Sequence, residues 1–130
     1  IDLDTVMPGK FFSDIGDMIR TMSCSVDENS TDWKSIFVND EMYKSITSTY
    51  GKVTHRYFTS AEKEHLHYSG LILTYMQSLR FLTDYLNGDV YYKINYPEHN
   101  LNRAKNQLML LEKLEEYLKQ EHNFIPDIHN

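Results

Sequence analysis

Apolar side chains recur every three or four residues through four stretches of the chain, a spacing typical of helices that pack one face on a core. We predict helices that begin near Ser13 or Asp14, at Asp40, after Thr59 and near Asn100. The two longest apolar stripes, which we expect to face the core, are Leu66, Ile72, Tyr75, Met76, Leu79, Leu82 and Leu86, and then Leu101, Ala104, Leu108, Leu111, Leu114 and Leu118. The pattern predicts a mainly α fold.

Local signals mark where these helices start and stop. Asn39 is a typical N-cap residue, and the stretch from Thr59 to Glu62 matches the Ser/Thr-x-x-Glu capping box. Gly51 and Gly88 stand where helices commonly end. We therefore expect one helix to end at Gly51 and the stretch that follows Thr59 to run as a single long helix to about Gly88.

Two segments do not follow helical spacing. Residues 1–4, Ile-Asp-Leu-Asp, alternate apolar and acidic side chains and predict a short strand, which the Pro8-Gly9 pair ends in a turn. Residues 25–32 form a polar, acidic stretch without a packing period, so we expect a mobile loop there.

Charge narrows the classes of partner. Thirteen Lys and Arg stand against nineteen Asp and Glu, a net charge of −6, and the basic residues are scattered singly. The electrostatic field of a protein with this negative net charge repels the phosphate backbones of nucleic acids, so we expect no nucleic-acid partner. No apolar run is long enough for a membrane helix, and the single cysteine, Cys24, agrees with a reducing compartment. We predict a cytoplasmic protein with no membrane partner; its oligomeric state stays open.

The chain opens on Ile1 with no polar lead-in, and we expect that further polypeptide precedes it. The opening also holds two carboxylates, Asp2 and Asp4, which leave a strand on the same face. Carboxylate oxygens at a strand end suit Mg²⁺, although solvated edge charges have the same pattern.

Two longer stretches resemble a known family. Residues 1–9, Ile-Asp-Leu-Asp-Thr-Val-Met-Pro-Gly, with residues 14–20, Asp-Ile-Gly-Asp-Met-Ile-Arg, resemble part of the active site of the aminoglycoside phosphotransferase and choline kinase family. Residues 79–93, from Leu79 to Lys93, resemble a stretch of its N-acetylhexosamine kinases, which phosphorylate an anomeric hydroxyl. The resemblance implies the helical C-terminal lobe of a protein-kinase-like α+β fold.

The resemblance assigns roles to three acidic residues. Asp2 matches the carboxylate that holds Mg²⁺ on the phosphates of ATP. Asp4 is the second metal candidate, with orientation of the acceptor or capping of the turn as alternatives. Asp14 matches a residue that supports the catalytic loop from below, and it also suits a helix N-cap. The implied division is a metal-binding strand and turn at 1–12 and a helical subdomain at 13–130.

The resemblance also implies a sugar-binding wall. Arg80 and Tyr91 match positions that reach the acceptor sugar, and Asp89 and Lys93 follow with weaker support. A guanidinium can donate several hydrogen bonds to oxygens, and a tyrosine ring offers an apolar face to a sugar. The alternative is structural: Arg80 pairs with Asp84 at i+4, and the tyrosines are core aromatics.

The family's nucleotide lobe and His-Gly-Asp catalytic loop are not found in residues 1–130 and precede residue 1 in family order. We therefore expect a fragment that is inactive alone and that belongs to an ATP-dependent kinase for an N-acetylhexosamine or related sugar. A kinase for another small alcohol, such as an aminoglycoside, choline or homoserine, and a non-catalytic helical interaction module are the alternatives.

Two other candidates carry little chemistry. His65 and His67, two residues apart on a predicted helix, point to different sides and are expected on the surface rather than on one metal ion. Cys24 has no histidine near it in sequence, so we do not expect a nucleophile.

Overall fold

A computed structural model describes residues 9–123. Its helices are α1 (Phe11–Met22), α2 (Asp40–Thr54), α3 (Ser60–Glu64), α4 (Tyr68–Leu86) and α5 (His99–His122), with a short 3-10 turn at Trp33–Ser35. The mainly helical prediction is confirmed. The strand expected at residues 1–4 lies outside the described residues. None of the helices between residues 9 and 123 is long and apolar enough to cross a membrane.

Helix α1 begins at Phe11, two to three residues before the predicted start, and its N-cap is Lys10 rather than Asp14. Arg20 near its end has a side chain only 10% exposed and binds the carboxylates of Asp17 and Glu28, each at 2.9 Å. The same guanidinium donates to Oε1 of Gln107 on α5 at 3.2 Å. Arg20 therefore joins α1 to the following loop and to the last helix.

The loop at 25–32 is fastened to α5, contrary to the mobility expected of it. Asn106 is fully buried and its amide donates to the carbonyl oxygens of Asp27 and Ser30 at 3.2 and 3.0 Å. Asn29 accepts from Arg103 Nε at 2.8 Å. Within residues 9–123, β structure is limited to one antiparallel bridge between Cys24 and Val38, which lie on either side of the segment that contains this loop.

The two predicted caps are present. The side chain of Asn39 accepts from the amide of Met42 at 3.0 Å, and Thr59 and Glu62 form a complete capping box. The helix lengths differ from expectation: α2 passes Gly51 and ends at Thr54, whereas the helix started by Thr59 ends after five residues. A turn at residues 65–67 separates α3 from α4, so the long helix predicted from Thr59 onward is two helices.

Helices α1 and α4 cross at two glycines. A Cβ added at Gly16 would overlap the backbone carbonyl of Ser69, and one added at Gly70 would lie 2.6 Å from Cγ2 of Ile19. Several buried residues of α4 are correspondingly small, namely Ser69, Gly70, Thr74 and Ser78, although Leu71 and Phe81 are buried on this helix as well. The two glycines allow the helices to approach closely where they cross.

Helix α5 packs on α4 and supplies one side of the core. Most of the buried apolar residues of the described chain form one cluster, made of Ile15, Ile19, Ile36, Tyr43, Ile46, Leu71, Leu110, Leu114 and Leu118. The stripe predicted for α5 is correct at Ala104, Leu114 and Leu118, but Leu108 is 43% exposed. Four polar residues are buried on α5 as well, namely His99, Asn100, Asn106 and Gln107. They hold the loops that cover this helix.

Candidate functional site

An open cleft of about 390 Å³ lies at the C-terminal end of α4, where the chain turns toward α5. We call it the α4 cleft. Its lining combines apolar, aromatic and hydrogen-bonding side chains, namely Leu79, Arg80, Thr83, Asp84, Asn87, Tyr91 and Tyr92. Two of the four residues implied to contact the acceptor, Arg80 and Tyr91, are therefore brought to one cavity although eleven positions separate them in sequence.

The guanidinium of Arg80 faces aromatic rings. Its Cζ lies 5.9 Å from the ring centroid of Tyr91 and 5.7 Å from that of Tyr92, distances typical of cation–π contacts. No hydrogen bond or ion pair joins Arg80 to Asp84 in the part of the chain that the structure describes, so the structural alternative of an i, i+4 pair is wrong. Arg80 is exposed and lines the cleft, so its N–H donors are available to a ligand there.

Asp84, by contrast, is turned into the protein and is only 6% exposed. Its carboxylate accepts from the amides of Tyr91 at 2.8 Å and Tyr92 at 2.9 Å, and from Nδ2 of Asn100 at 2.9 Å. Burial raises the pKa of Asp84, but the amides of Tyr92, Tyr91 and Val90 outweigh it, so the pKa lies below its ordinary value. A carboxylate held in this way stays ionised and is a poor proton acceptor for a substrate.

Asp89 and Lys93 do not line the α4 cleft. Oδ1 of Asp89 accepts from Asn100 Nδ2 at 2.8 Å, and its backbone has a positive φ of 59°. Lys93 is exposed, and its carbonyl oxygen accepts from Arg103 at 3.3 Å. The geometry gives Asp89 a part in shaping the loop between α4 and α5, whereas nothing places Lys93 beside Arg80.

Asp14 lies in the first turn of α1 and is exposed. It does not cap the helix, because Lys10 occupies the N-cap position. Burial first, and then the charge of Asp14, raise the pKa of Tyr50 on α2, which places the two side chains within electrostatic reach. An exposed carboxylate of this kind is free to bind backbone groups of a neighbouring segment.

The metal candidates Asp2 and Asp4 lie outside the described residues. Between residues 9 and 123, no three His, Cys, Asp or Glu side chains are grouped closely enough to hold a metal ion. The assignment of Asp2 and Asp4 as metal ligands stays a prediction from the sequence.

One cluster of histidine and tyrosine side chains was not predicted from the sequence. His67 is half-buried rather than on the surface: its Nδ1 lies 2.6 Å from the hydroxyl of buried Tyr43, and its ring centroid lies 4.5 Å from that of His122. Burial first and then the charge of His122 lower the pKa of His67 to about 4. His67 is therefore neutral near pH 7. The sequence signal was present in His65-x-His67, but the partners come from α2 and the end of α5.

Helix α4 presents much of its predicted core stripe to solvent. Ile72, Tyr75, Met76 and Leu79 are 38–50% exposed, and Leu86 is 73% exposed. An apolar groove of about 460 Å³ continues this surface toward α1, lined by Phe11, Phe12, His65, Tyr68, Ser69 and Ile72. We call the exposed residues Ile72, Tyr75, Met76 and Leu79 the outer face of α4. Leu79 belongs both to this face and to the α4 cleft.

No protein-family model matches the sequence. What the α4 cleft can do chemically follows from its own residues: a guanidinium, hydroxyl and amide groups, and aromatic rings suit a ligand that combines oxygens with an apolar ring face. It holds no free carboxylate or imidazole to act as a general base, since Asp84 is saturated by its donors.

Proposed function

We propose that the chain is the C-terminal part of an ATP-dependent small-molecule kinase that phosphorylates an N-acetylhexosamine or a related sugar at the anomeric hydroxyl. The observation that carries the proposal is the α4 cleft. Arg80 and Tyr91, the two residues that the sequence resemblance most clearly assigns to the acceptor, lie in contact on its wall. A chance resemblance gives no reason for them to share a cavity that suits a sugar.

The reaction would transfer the γ-phosphoryl group of ATP to a sugar hydroxyl. A bond forms between the hydroxyl oxygen and the γ-phosphorus, the bond between the γ-phosphorus and the β,γ-bridging oxygen breaks, ADP leaves, and the hydroxyl proton passes to a general base. In the family that base belongs to the catalytic loop, which in family order comes before the stretch that residues 1–9 resemble. Arg80 and Tyr91 would orient the acceptor, and orientation provides a large part of the rate in such reactions.

The carboxylates of Asp2 and Asp4 would hold magnesium. Two hard oxygen donors fit the preferences of Mg²⁺, which neutralises charge on the nucleotide phosphates when bound. Asp14 would support the catalytic loop through hydrogen bonds to its backbone. These three assignments rest on the sequence resemblance, and the exposure of Asp14 supports its availability for such contacts.

Two experiments test the proposal. The chain alone, given Mg-ATP and N-acetylglucosamine or N-acetylgalactosamine, should show no turnover, because the base and the nucleotide lobe are not in it. In a protein that also carries the upstream polypeptide, Asp2→Asn should lower kcat by orders of magnitude with the fold intact, while the matched Asp32→Asn change in the exposed loop should not. Turnover by the chain alone, or full activity of the Asp2 variant, would contradict the proposal.

The acceptor class is tested separately. A panel of N-acetylhexosamines, an aminoglycoside, choline and homoserine should give the highest kcat/KM with an N-acetylhexosamine. A preference for one of the other alcohols would keep the kinase reaction but replace the acceptor.

A second candidate function is a helical interaction module, and the outer face of α4 favours it, since large exposed apolar patches mark interaction surfaces. The same face is also expected of a kinase lobe separated from the rest of its enzyme. ATP binding by the protein with its upstream polypeptide distinguishes the two: the kinase requires it, whereas the module does not.

A further inference from the structure

The loop that follows α4 is shaped by one carboxylate. Directly after the helix, Gly88 and Asp89 take positive φ values of 87° and 59°, which turn the chain back toward α4. The amides of Tyr91 and Tyr92 then both donate to the side chain of Asp84, and the amide of Asp89 donates to the Asp84 backbone carbonyl at 2.8 Å. Asp84 thus binds the loop at three points within eight residues.

The other end of the loop is tied to the same group through Asn100. This fully buried residue lies in the first turn of α5, and its Nδ2 donates to both Asp84 and Asp89. Its Oδ1 accepts from Arg103, which also binds the carbonyl of Lys93. The carboxylate of Asp84 is therefore the central acceptor between the end of α4, the loop and the start of α5.

The two tyrosines whose amides Asp84 holds are the ones whose rings contact Arg80. Arg80 lies one helical turn before Asp84, so a single turn of α4 supplies both the guanidinium and the group that anchors its aromatic neighbours. Tyr92 has a further support, from Gln77 Nε2 to its hydroxyl at 3.3 Å, and its ring also packs on buried Phe81. Tyr91 is 74% exposed, so its position depends chiefly on its backbone.

We propose that Asp84 is a positioning residue for the acceptor: by holding the amides of Tyr91 and Tyr92, it fixes the aromatic wall of the α4 cleft against Arg80. The assignment of the acceptor to this cleft rests on the proposed function. Asp84 does not itself contact the reacting atoms or transfer a proton. Its role is to fix the backbone from which the exposed ring of Tyr91 projects before a ligand arrives, which lowers the ordering cost of binding.

Asp84→Asn is the informative change. An amide of the same shape keeps one acceptor oxygen but presents NH₂ donors where the carboxylate received amide N–H groups, so at least one of the two loop bonds is lost. In the chain of 130 residues, amide hydrogen exchange at one or both of Tyr91 and Tyr92 should accelerate about tenfold or more. Exchange at Leu110 and Leu114 in the core, and the Asp17→Asn control on α1, should show no such change.

The second readout is kinetic and uses the protein with its upstream polypeptide. Asp84→Asn should raise KM for the acceptor about tenfold or more, with KM for ATP nearly unchanged and kcat less affected. A purely structural role would lower the active fraction, and hence kcat, without changing KM for the acceptor. Asp84→Glu keeps the charge but displaces the carboxylate oxygens, so it should raise KM for the acceptor by a smaller factor. If the asparagine variant does not fold, Asp84→Glu is the variant used for the test.

The two proposals fail in different ways. If wild-type protein with its upstream polypeptide transfers no phosphoryl group, the proposed function is wrong, and with it the acceptor role of Asp84, even where exchange at Tyr91 accelerates as expected. If wild-type protein is active and both Asp84 variants keep the wild-type KM for the acceptor, the positioning role is overturned and the kinase remains. Unchanged exchange at Tyr91 and Tyr92 in Asp84→Asn also overturns it.

Discussion

Gly16 of α1 lies directly against the backbone carbonyl of Ser69 on α4, so close that no side chain fits between them. Backbone atoms cannot rotate away as a side chain can, and a methyl group there forces the two helices apart. This contact decides how near α1 approaches α4 and therefore how the small inward face of α4 is covered.

Gly16→Ala should destabilise the protein by about 2 kcal/mol, because overpacking typically costs about 1–3 kcal/mol and the gain in helix propensity offsets part of it. Gly51→Ala is the matched control, since it lies within α2 and a Cβ there meets nothing within 4 Å. That variant should gain up to about 1 kcal/mol. Urea unfolding of both variants measures the difference, and equal midpoints would show that the crossing tolerates a methyl group.

Asn106→Ala should release the loop at 25–32. The buried amide of Asn106 satisfies two loop carbonyls, those of Asp27 and Ser30, and alanine leaves both without this donor. We expect faster proteolysis within the loop and a loss of about 1–3 kcal/mol in the free energy of unfolding. Gln120→Ala, at an exposed position of the same helix, is the control. A wild-type cleavage rate in the Asn106 variant would mean that other contacts suffice to hold the loop.

Stability should fall on acidification because of His67. Its pKa is near 6.5 when unfolded and about 4 when folded, so the unfolded state binds more protons between these values. The contribution is complete above pH 6.5 and is lost as the pH falls toward 4; it amounts to about 2 kcal/mol after allowance for partial exposure. His67→Gln should flatten this part of the stability curve, whereas His55→Gln on the surface should leave it unchanged. The check is chemical denaturation at a series of pH values.

The outer face of α4 should bind an apolar dye without being needed for folding. Met76→Lys replaces a residue that is 46% exposed, so the free energy of unfolding should change by less than about 0.5 kcal/mol. Fluorescence of bound 8-anilinonaphthalene-1-sulfonate should nevertheless decrease, and more than it does in Val53→Lys, where an isolated valine on α2 is 67% exposed. Marked destabilisation by Met76→Lys would indicate that this face is packed in solution.

Local signals were sufficient to predict several elements. The caps at Asn39 and Thr59 depend on side chains and amides within three residues, and both are present. The end of a helix is less local: α2 continues past Gly51 to Thr54, although glycine commonly ends a helix. The turn at residues 65–67 that separates α3 from α4 could not be predicted, because it contains no glycine or proline.

Which face of α4 meets the core could not be predicted from its pattern of apolar residues. Periodicity shows which residues share a face, but not which face meets the core. Several larger apolar side chains face outward here, whereas small residues such as Ser69, Gly70 and Thr74 are buried together with Leu71 and Phe81, and α1 approaches α4 closely at Gly16 and Gly70. A stripe of small residues on an otherwise bulky helix is the signal that indicates this arrangement.

The sequence indicated Arg80 and Tyr91 as candidates, but it could not predict the geometry that brings them to one cleft. Arg80 and Tyr91 were identified by resemblance, and their contact required the loop between α4 and α5 to fold back. That fold depends on Asn100, sixteen positions from Asp84, which no local pattern connects to it. The alternative in which Arg80 pairs with Asp84 is wrong for the same reason, since the amides of Tyr91 and Tyr92 and the side chain of Asn100 donate to that carboxylate.

Cys24 gives the protein a built-in reporter. It is half-buried, and burial raises the pKa of its thiol. Its backbone forms a β-bridge with Val38, which lies on the other side of the acidic loop at 25–32. Alkylating reagents attack thiolates, so modification of the closed form should be slow and should speed up when this loop lifts away from α5. The rate of thiol labelling at Cys24 would therefore measure how often the loop at 25–32 opens, and no residue would have to be introduced for the purpose.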